Sequence, residues 1–176
     1  MSQELSPNAL AFIALTNEYC HAIETVEPQE SNRMDSNLPF VHQMLKLLPR
    51  IYIVATDLYD GMGDMTDEFI ESSLDENTYD LVRQKLSQVM GDDDTYLETN
   101  LDDMQFSDTP VSATVSENLA DLYQEFYNLV HAVQDIPTEL QVLLIDSCVN
   151  NFRSYWGQTL CNVLRALHTT YHVFIH

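Results

Sequence analysis

The sequence predicts an all-α fold, a single-domain bundle of about five to seven helices that spans residues 1–176. Apolar residues recur at spacings of three and four in several segments, which is the period of an amphipathic helix. Capping residues and prolines stand where those segments begin. No run of alternating apolar and polar residues between hairpin turns indicates a sheet. The 176 residues are enough to bury one hydrophobic core without disulfides or metal ions.

The first predicted helix begins at Ser6 and Pro7. A serine side chain caps free backbone N–H groups, and proline is tolerated at the first helical position because its missing N–H costs nothing there. Apolar side chains then recur with helical spacing at Phe12, Leu15, Tyr19, Ala22, Ile23 and Val26. The helix is expected to end before Pro28.

A polar stretch over residues 28–37 is expected to form a loop, and a second helix is expected from about Leu38 to Leu58. This helix is apolar on most sides, which is typical of a central helix in a bundle. Pro49 lies inside it, removes one backbone hydrogen bond and crowds the preceding turn. We therefore expect the second helix to be kinked at Pro49 or broken into two helices.

An acidic lobe follows, because residues 57–108 hold 16 of the 28 acidic residues. Gly61 and Gly63 indicate a loop. A third helix is predicted from the spacing of Tyr79, Val82, Leu86, Val89 and Met90. The run from Gly91 to Asp94 is expected to end or interrupt it, with Tyr96 and Leu97 resuming an apolar face. Residues 100–113 are expected to be irregular.

The fourth helix is predicted from a capping box, in which Thr114 and Glu117 have the required spacing. Apolar residues follow in helical register at Leu119, Leu122, Tyr123, Phe126, Leu129, Val130 and Val133. Pro137 then opens an apolar stretch over residues 140–175. One straight helix of that length would span about 50 Å. We therefore expect a break near Asn150–Asn151 or near Gly157.

The composition is strongly acidic, with 28 Asp and Glu against 7 Lys and Arg and a formal net charge of -21. Such a charge repels nucleic-acid phosphates and anionic lipid surfaces, so neither is predicted as a partner. A protein partner with a basic or mixed surface is compatible with it, although acidic surfaces also simply keep proteins soluble. The N-terminus lacks the pattern of a signal peptide, and no apolar stretch reaches the length of a membrane span. A cytoplasmic location is therefore expected.

The three cysteines, Cys20, Cys148 and Cys161, are far apart and lie in apolar helical patterns. Reduced, buried thiols are the expectation, as in cytosolic proteins. Di-iron sites in helical bundles use a Glu-x-x-His motif twice. Here Glu18 and His21 supply it once. No metal or other cofactor is therefore predicted.

Two further motifs also fail as metal sites. His168 and His172 share a helix face but have no third ligand near them in sequence. The acids at residues 92–94 lack the oxygen ligand and the glycine that a calcium-binding EF-hand loop needs. The usual catalytic motifs are absent as well. No catalytic residue is predicted, and the chain is expected not to be an enzyme.

The scarce positive charges are the least ordinary feature, because Arg50, Arg153 and Arg165 lie in the most apolar stretches of the chain. Buried arginines are rare unless they are paired. They could pair with carboxylates such as Glu117, Asp121 and Asp146 and tie helices together. They could instead converge in a pocket that binds an anion. The candidate site contains Arg50, Glu117, Asp121, Arg153, Trp156, Arg165 and His168.

Four motifs together resemble an uncharacterised bacterial family, domain of unknown function 5063. They are LPRIY at residues 48–52, SENLADLYQ at residues 116–124, WG at residues 156–157 and LRALH at residues 164–168. The resemblance implies an all-helical cytosolic domain. It brings no catalytic residue, cofactor or substrate. Its motifs coincide with most of the candidate site.

Three functional hypotheses follow from these observations. The first is a non-enzymatic interaction or regulatory module that meets a protein partner through its acidic face. The second is a binding protein or enzyme for a small anionic metabolite, which would use Arg50, Arg153 and Arg165. The third is a metal-dependent helical-bundle enzyme, which elemental analysis of the purified protein would test.

Overall fold

Helices form most of the protein, and the all-α prediction is confirmed. The computed structural model describes residues 4–29, 36–61, 69–98 and 111–173. The helices are α1 (Pro7–Thr25), α2 (Leu38–Gly61), α3 (Glu76–Met90), α4 (Val115–Ala132), α5 (Thr138–Asn151) and α6 (Gly157–Val173). A 3₁₀ turn at Gly91–Asp94 follows α3, and a π-helical turn at Phe152–Trp156 joins α5 to α6.

The predicted helix starts are confirmed by their capping bonds. The Ser6 hydroxyl accepts the Ala9 N–H at 3.1 Å at the start of α1. The Thr114 hydroxyl accepts the Glu117 N–H at 3.2 Å at the start of α4. Each bond satisfies a backbone donor that the first helical turn would leave free.

Proline does not interrupt α2. The helix runs continuously from Leu38 to Gly61 with Pro49 inside it. A break into two helices at Pro49 is therefore wrong, and the kink stays a prediction. Gly61 is the last residue of α2, and Gly63, the other glycine of the expected loop, lies outside the described residues.

The expected break in the long C-terminal helix takes the form of a widened turn. The π-helical turn lies between Asn151 and Gly157, and helical backbone continues on both sides of it. No loop separates α5 from α6. The predicted break between Asn150 and Gly157 is confirmed, and it is a π-helical turn.

A small antiparallel sheet corrects two expectations, that the chain contains no sheet and that residues 111–113 are irregular. β1 (Thr95–Glu98) pairs with β2 (Val111–Thr114), so that Thr95 faces Thr114 and Glu98 faces Val111. The sequence TYLE of β1 does not alternate apolar and polar residues, so it gave no strand signal, and the VSAT of β2 has only the minimum length for one. Residues 99–110, which connect the strands, lie outside the described residues.

Aromatic side chains from α1, α4 and the π-helical turn fill the centre of the core. Phe12 stacks on Trp156 with ring centroids 6.1 Å apart, and Phe126 meets the same indole edge-on at 5.1 Å. Tyr19 packs edge-on against Phe126 at 5.2 Å, and its hydroxyl donates to the Leu119 carbonyl oxygen. This packing fixes the π-helical turn against α4.

Candidate functional site

The π-helical turn directs two aromatic side chains into the core and leaves two polar side chains at the surface. Phe152 and Trp156 are buried, while Arg153 and Tyr155 are exposed. The Gly157 N–H donates to the Phe152 carbonyl oxygen five residues earlier, which is the bond that widens the turn. Single π-helical turns inside α-helices occur frequently at functional sites.

Trp156, a predicted site residue, belongs to the core. Its side chain is fully buried, and its indole N–H donates to the Cys148 carbonyl oxygen at 2.8 Å. That bond satisfies the indole's single donor. The indole therefore anchors the turn in the core and is not available to a ligand at the surface.

Asp121, a second predicted site residue, lies beside two tyrosines, one of which donates a hydrogen bond to it. The Tyr79 hydroxyl of α3 donates to Asp121 Oδ1 at 2.6 Å. The Tyr155 side chain of the π-helical turn lies beside the same carboxylate. Both tyrosines are neutral, so neither offsets the charge of the ionised carboxylate.

Asp121 is the middle member of a row of three acids on α4. Glu117, Asp121 and Glu125 are four residues apart, so they lie on one face of the helix. We call these three residues the acid cluster. Glu117 is exposed, while Asp121 and Glu125 are partly buried. The Asn151 side chain lies beside the Glu125 carboxylate.

Burial disfavours negative charge within the acid cluster. Burial raises the pKa of Asp121, although the polar groups of Tyr79 and Tyr155 oppose the rise. Burial also raises the pKa of Glu125, the polar side chain of Asn151 opposes that rise, and the charge of Asp121 adds to it. Burial and the nearby carboxylates raise the pKa of Tyr155 to about 12. The two carboxylates are thus incompletely solvated.

No cation neutralises the acid cluster within the part of the chain that the structure describes. Only two ion pairs occur there within 4 Å. Arg50 meets Glu18 at 3.6 Å, and Arg83 meets Asp80 at 3.5 Å. Both pairs are exposed, and neither involves α4.

The three arginines of the candidate site are exposed, so the expectation that they are buried is wrong. Arg153 donates to the Tyr59 hydroxyl at 2.9 Å, and its guanidinium lies 5.9 Å from the centre of that ring. Arg165 donates to the Leu97 carbonyl oxygen. Among the described residues, Arg50 has only its loose pair with Glu18.

The arginines also lie apart. Arg50 lines a hollow between α1 and α2, Arg153 lines one beside the π-helical turn, and Arg165 lines one beside β1. Arg153 and Arg165 are twelve residues apart, or about 18 Å along a helix axis. The structure therefore does not bring the three together in one pocket. Anion binding by any one of them stays a prediction.

His168 is exposed on α6, and its ring lies 4.2 Å from that of His172. His168 and Trp156 therefore do not line one surface pocket, because Trp156 is buried in the core. Within the described ranges, no group of three or more His, Cys, Asp or Glu side chains is arranged to hold a metal ion.

The three cysteines carry free thiols. Cys20 and Cys148 are buried as expected, and burial raises the pKa of Cys20 to about 12. Cys161 is exposed, so the expectation of burial is wrong for this residue. Its position on the outer face of α6 explains the difference.

Sequence reasoning missed Glu125, Tyr79 and Tyr155. The spacing of Glu117, Asp121 and Glu125 was visible in sequence, on the helix with the clearest start signal. The tyrosines could not be found in this way, because Tyr79 and Tyr155 reach Asp121 from other elements.

Comparison with known proteins gives a family and a fold relative. The family described as Domain of unknown function (DUF5063) matches residues 3–173. No curated protein sequence matches the chain. The crystal structure of protein BF1032 from Bacteroides fragilis superposes with a TM-score of 0.71 at 28% sequence identity, covering 93% of this chain and 91% of that one. No described helix is long and apolar enough to cross a membrane.

Proposed function

This chain belongs to the DUF5063 family, and we propose that it is a non-enzymatic interaction module that binds a protein partner through the acid cluster on α4. The partner would present a basic or mixed surface, with a lysine or arginine at its centre. Glu117, Asp121 and Glu125 would supply the negative charge. Tyr79 and Tyr155 would flank the bound cation.

The observation that carries this proposal is a row of three carboxylates that no described cation neutralises. Two of the three are partly buried, so their charge is poorly solvated and would gain from a partner's cation. A guanidinium can bind a carboxylate with two parallel hydrogen bonds. The row therefore offers a basic side chain several equivalent acceptors.

The two tyrosines beside Asp121 would also favour binding of a basic side chain from the partner. Tyr155 is 46% exposed beside Asp121. Tyrosine is enriched in protein interfaces, because it offers a large rigid surface together with a polar hydroxyl. Its ring face also attracts cations. A basic side chain that reaches Asp121 would thus pass along an aromatic surface.

The raised pKa values give the proposal a pH dependence. A cation binds the ionised carboxylates, which form as the pH rises through the raised pKa values of Asp121 and Glu125. Binding should therefore tighten as the pH rises above about 4 through these raised pKa values, with protons released on binding. Added salt should weaken it.

We also propose a cytoplasmic location. Cys20, Cys148 and Cys161 are all free thiols, and one of them is exposed. Unpaired, exposed thiols are typical of a reducing compartment.

The test is a pull-down from a bacterial lysate at low and moderate salt, with the wild type and a variant that lacks the cluster's charge. That variant carries Glu117→Gln, Asp121→Asn and Glu125→Gln. We expect the wild type to recover a partner at low salt and the variant to lose it. Circular dichroism checks that the variant is folded.

A matched control removes three exposed acids from other elements, by Glu27→Gln, Asp92→Asn and Glu139→Gln. It changes the net charge by the same amount, so it should still recover the partner. Recovery of nothing by the wild type at either salt concentration would refute the proposal. Equal loss of partner recovery in the control and in the cluster variant would also refute the proposal, because it would show that only the net charge matters.

A further inference from the structure

An exposed stripe runs along α2 and has an unusual order of charges. Lys46, Arg50, Ile53, Asp57 and Asp60 are spaced four, three, four and three residues apart, so they lie on one face of the helix. All five are exposed. Along the helix the stripe therefore contains two cations, one apolar residue and two acids. We call these five residues the α2 stripe.

The α2 stripe is complementary to itself. If a second copy of α2 runs in the opposite direction with its Ile53 against this Ile53, the charges fall in opposite pairs. Arg50 then faces the partner's Asp57, and Lys46 faces the partner's Asp60. The same pairs form twice, as a twofold axis through Ile53 requires.

Apolar surface lies beside the stripe and would be covered by such a partner. Ile53, at the centre of the stripe, is 58% exposed. Between α1 and α2 lies a hollow of about 390 Å³ lined mainly by Ala11, Ala14, Leu15, Ile53 and Val54. Arg50 and Glu18 close it on one side.

We propose that this chain forms a twofold-symmetric dimer, in which the α2 stripes of two copies pack antiparallel. Two chains of charge -21 repel each other over most of their surface. The five residues of the α2 stripe are neutral in sum, so repulsion between two copies is weaker there than over the rest of the acidic surface. Arg50 would give up an exposed, loose pair with Glu18, which contributes little to stability.

Two variants with opposite charges test the proposal by sedimentation velocity at about 0.15 M salt. The acidic-stripe variant carries Lys46→Glu and Arg50→Glu. The basic-stripe variant carries Asp57→Lys and Asp60→Lys. We expect the wild type to be a dimer, each variant alone to be a monomer, and an equimolar mixture of the two to form a heterodimer.

The mixture is the decisive measurement. Both variants stay strongly acidic overall, so general attraction between them cannot explain a heterodimer. Monomers in the mixture would overturn the proposal, and so would a monomeric wild type. Persistence of a dimer in either variant alone would do so too.

A second pair of variants tests the apolar centre of the stripe. Ile53→Asp should give a monomer. Leu81→Asp, on the exposed face of α3, should leave the dimer intact, although Leu81 is 66% exposed. Equal effects of the two substitutions would overturn the proposal. Circular dichroism confirms that each variant is folded.

Discussion

Replacement of Gly157 by alanine should destabilise the protein, because the π-helical turn leaves no room for a Cβ atom. A Cβ at this position would lie 2.8 and 2.9 Å from two ring carbons of Phe152, and it would collide with the Phe152 carbonyl oxygen. Real Cβ atoms do not approach other heavy atoms so closely. Phe152 or the turn itself must therefore move in Gly157→Ala.

Two opposing effects set how much Gly157→Ala changes the free energy of unfolding. Overpacking costs about 1–3 kcal/mol, and the upper end applies because a backbone carbonyl cannot rotate away. Alanine in a helix gains about 1 kcal/mol over glycine. The net loss in the free energy of unfolding is about 2 kcal/mol, which lowers Tm by about 4–8 °C in a domain of this size.

Urea and thermal unfolding, followed by far-UV circular dichroism, measure that loss. Fluorescence gives a second probe, because Trp156 is the single tryptophan and its ring lies 4.7 Å from that of Phe152. Gly61→Ala is the matched control, since Gly61 ends α2 and its added Cβ would meet nothing within 4 Å. The control should be neutral or stabilising by up to about 1 kcal/mol. If Gly157→Ala is as stable as this control, the steric reasoning is wrong.

Two more predictions follow from buried groups. Burial raises the pKa of Asp121 and Glu125 in the folded protein, so the free energy of unfolding should fall as the pH rises above about 4 and passes through the raised pKa values. Asp121→Asn with Glu125→Gln should remove part of that fall in urea titrations, and an unchanged pH profile would contradict it. In the folded protein only Cys161 should react rapidly with Ellman's reagent, because Cys20 and Cys148 are buried. Rapid reaction of three thiols without denaturant would contradict this.

Helix starts were predictable because their signals act within one turn. Ser6 and Thr114 each accept an N–H three residues later, and no distant residue is needed for that bond. The same holds for the end of α3, where Gly91 has a positive φ of 57°. A glycine adopts this conformation without steric cost.

Exposure of the arginines was not predictable from local composition. An apolar stretch of helix still has an outer face, and the few charged residues in it occupy that face. In α2 the residues Lys46 and Arg50 share the exposed stripe with Ile53. Average hydropathy suggested burial, whereas the position of each residue on the helix decided it.

The remaining differences depend on residues that are distant in sequence. β1 forms because Val111–Thr114 pairs with it. The four residues of β1 do not by themselves identify a pairing partner elsewhere in the chain. Likewise, Asp121 is distinguished from other acids on α4 by two hydroxyl groups from α3 and the π-helical turn. Helical spacing alone can reveal that Glu117, Asp121 and Glu125 form a row. It cannot reveal which side chains from other elements lie beside them.

The two proposed interfaces use different residues, so they can be tested independently and would act together. The dimer uses α2, and partner binding uses α4. A dimer would carry two acid clusters, and a partner with two basic sites would then bind more tightly through its raised effective concentration. Ile53→Asp should therefore weaken binding to such a partner without weakening the contact at each cluster. Loss of the acid cluster, in contrast, should abolish binding and leave the dimer unchanged.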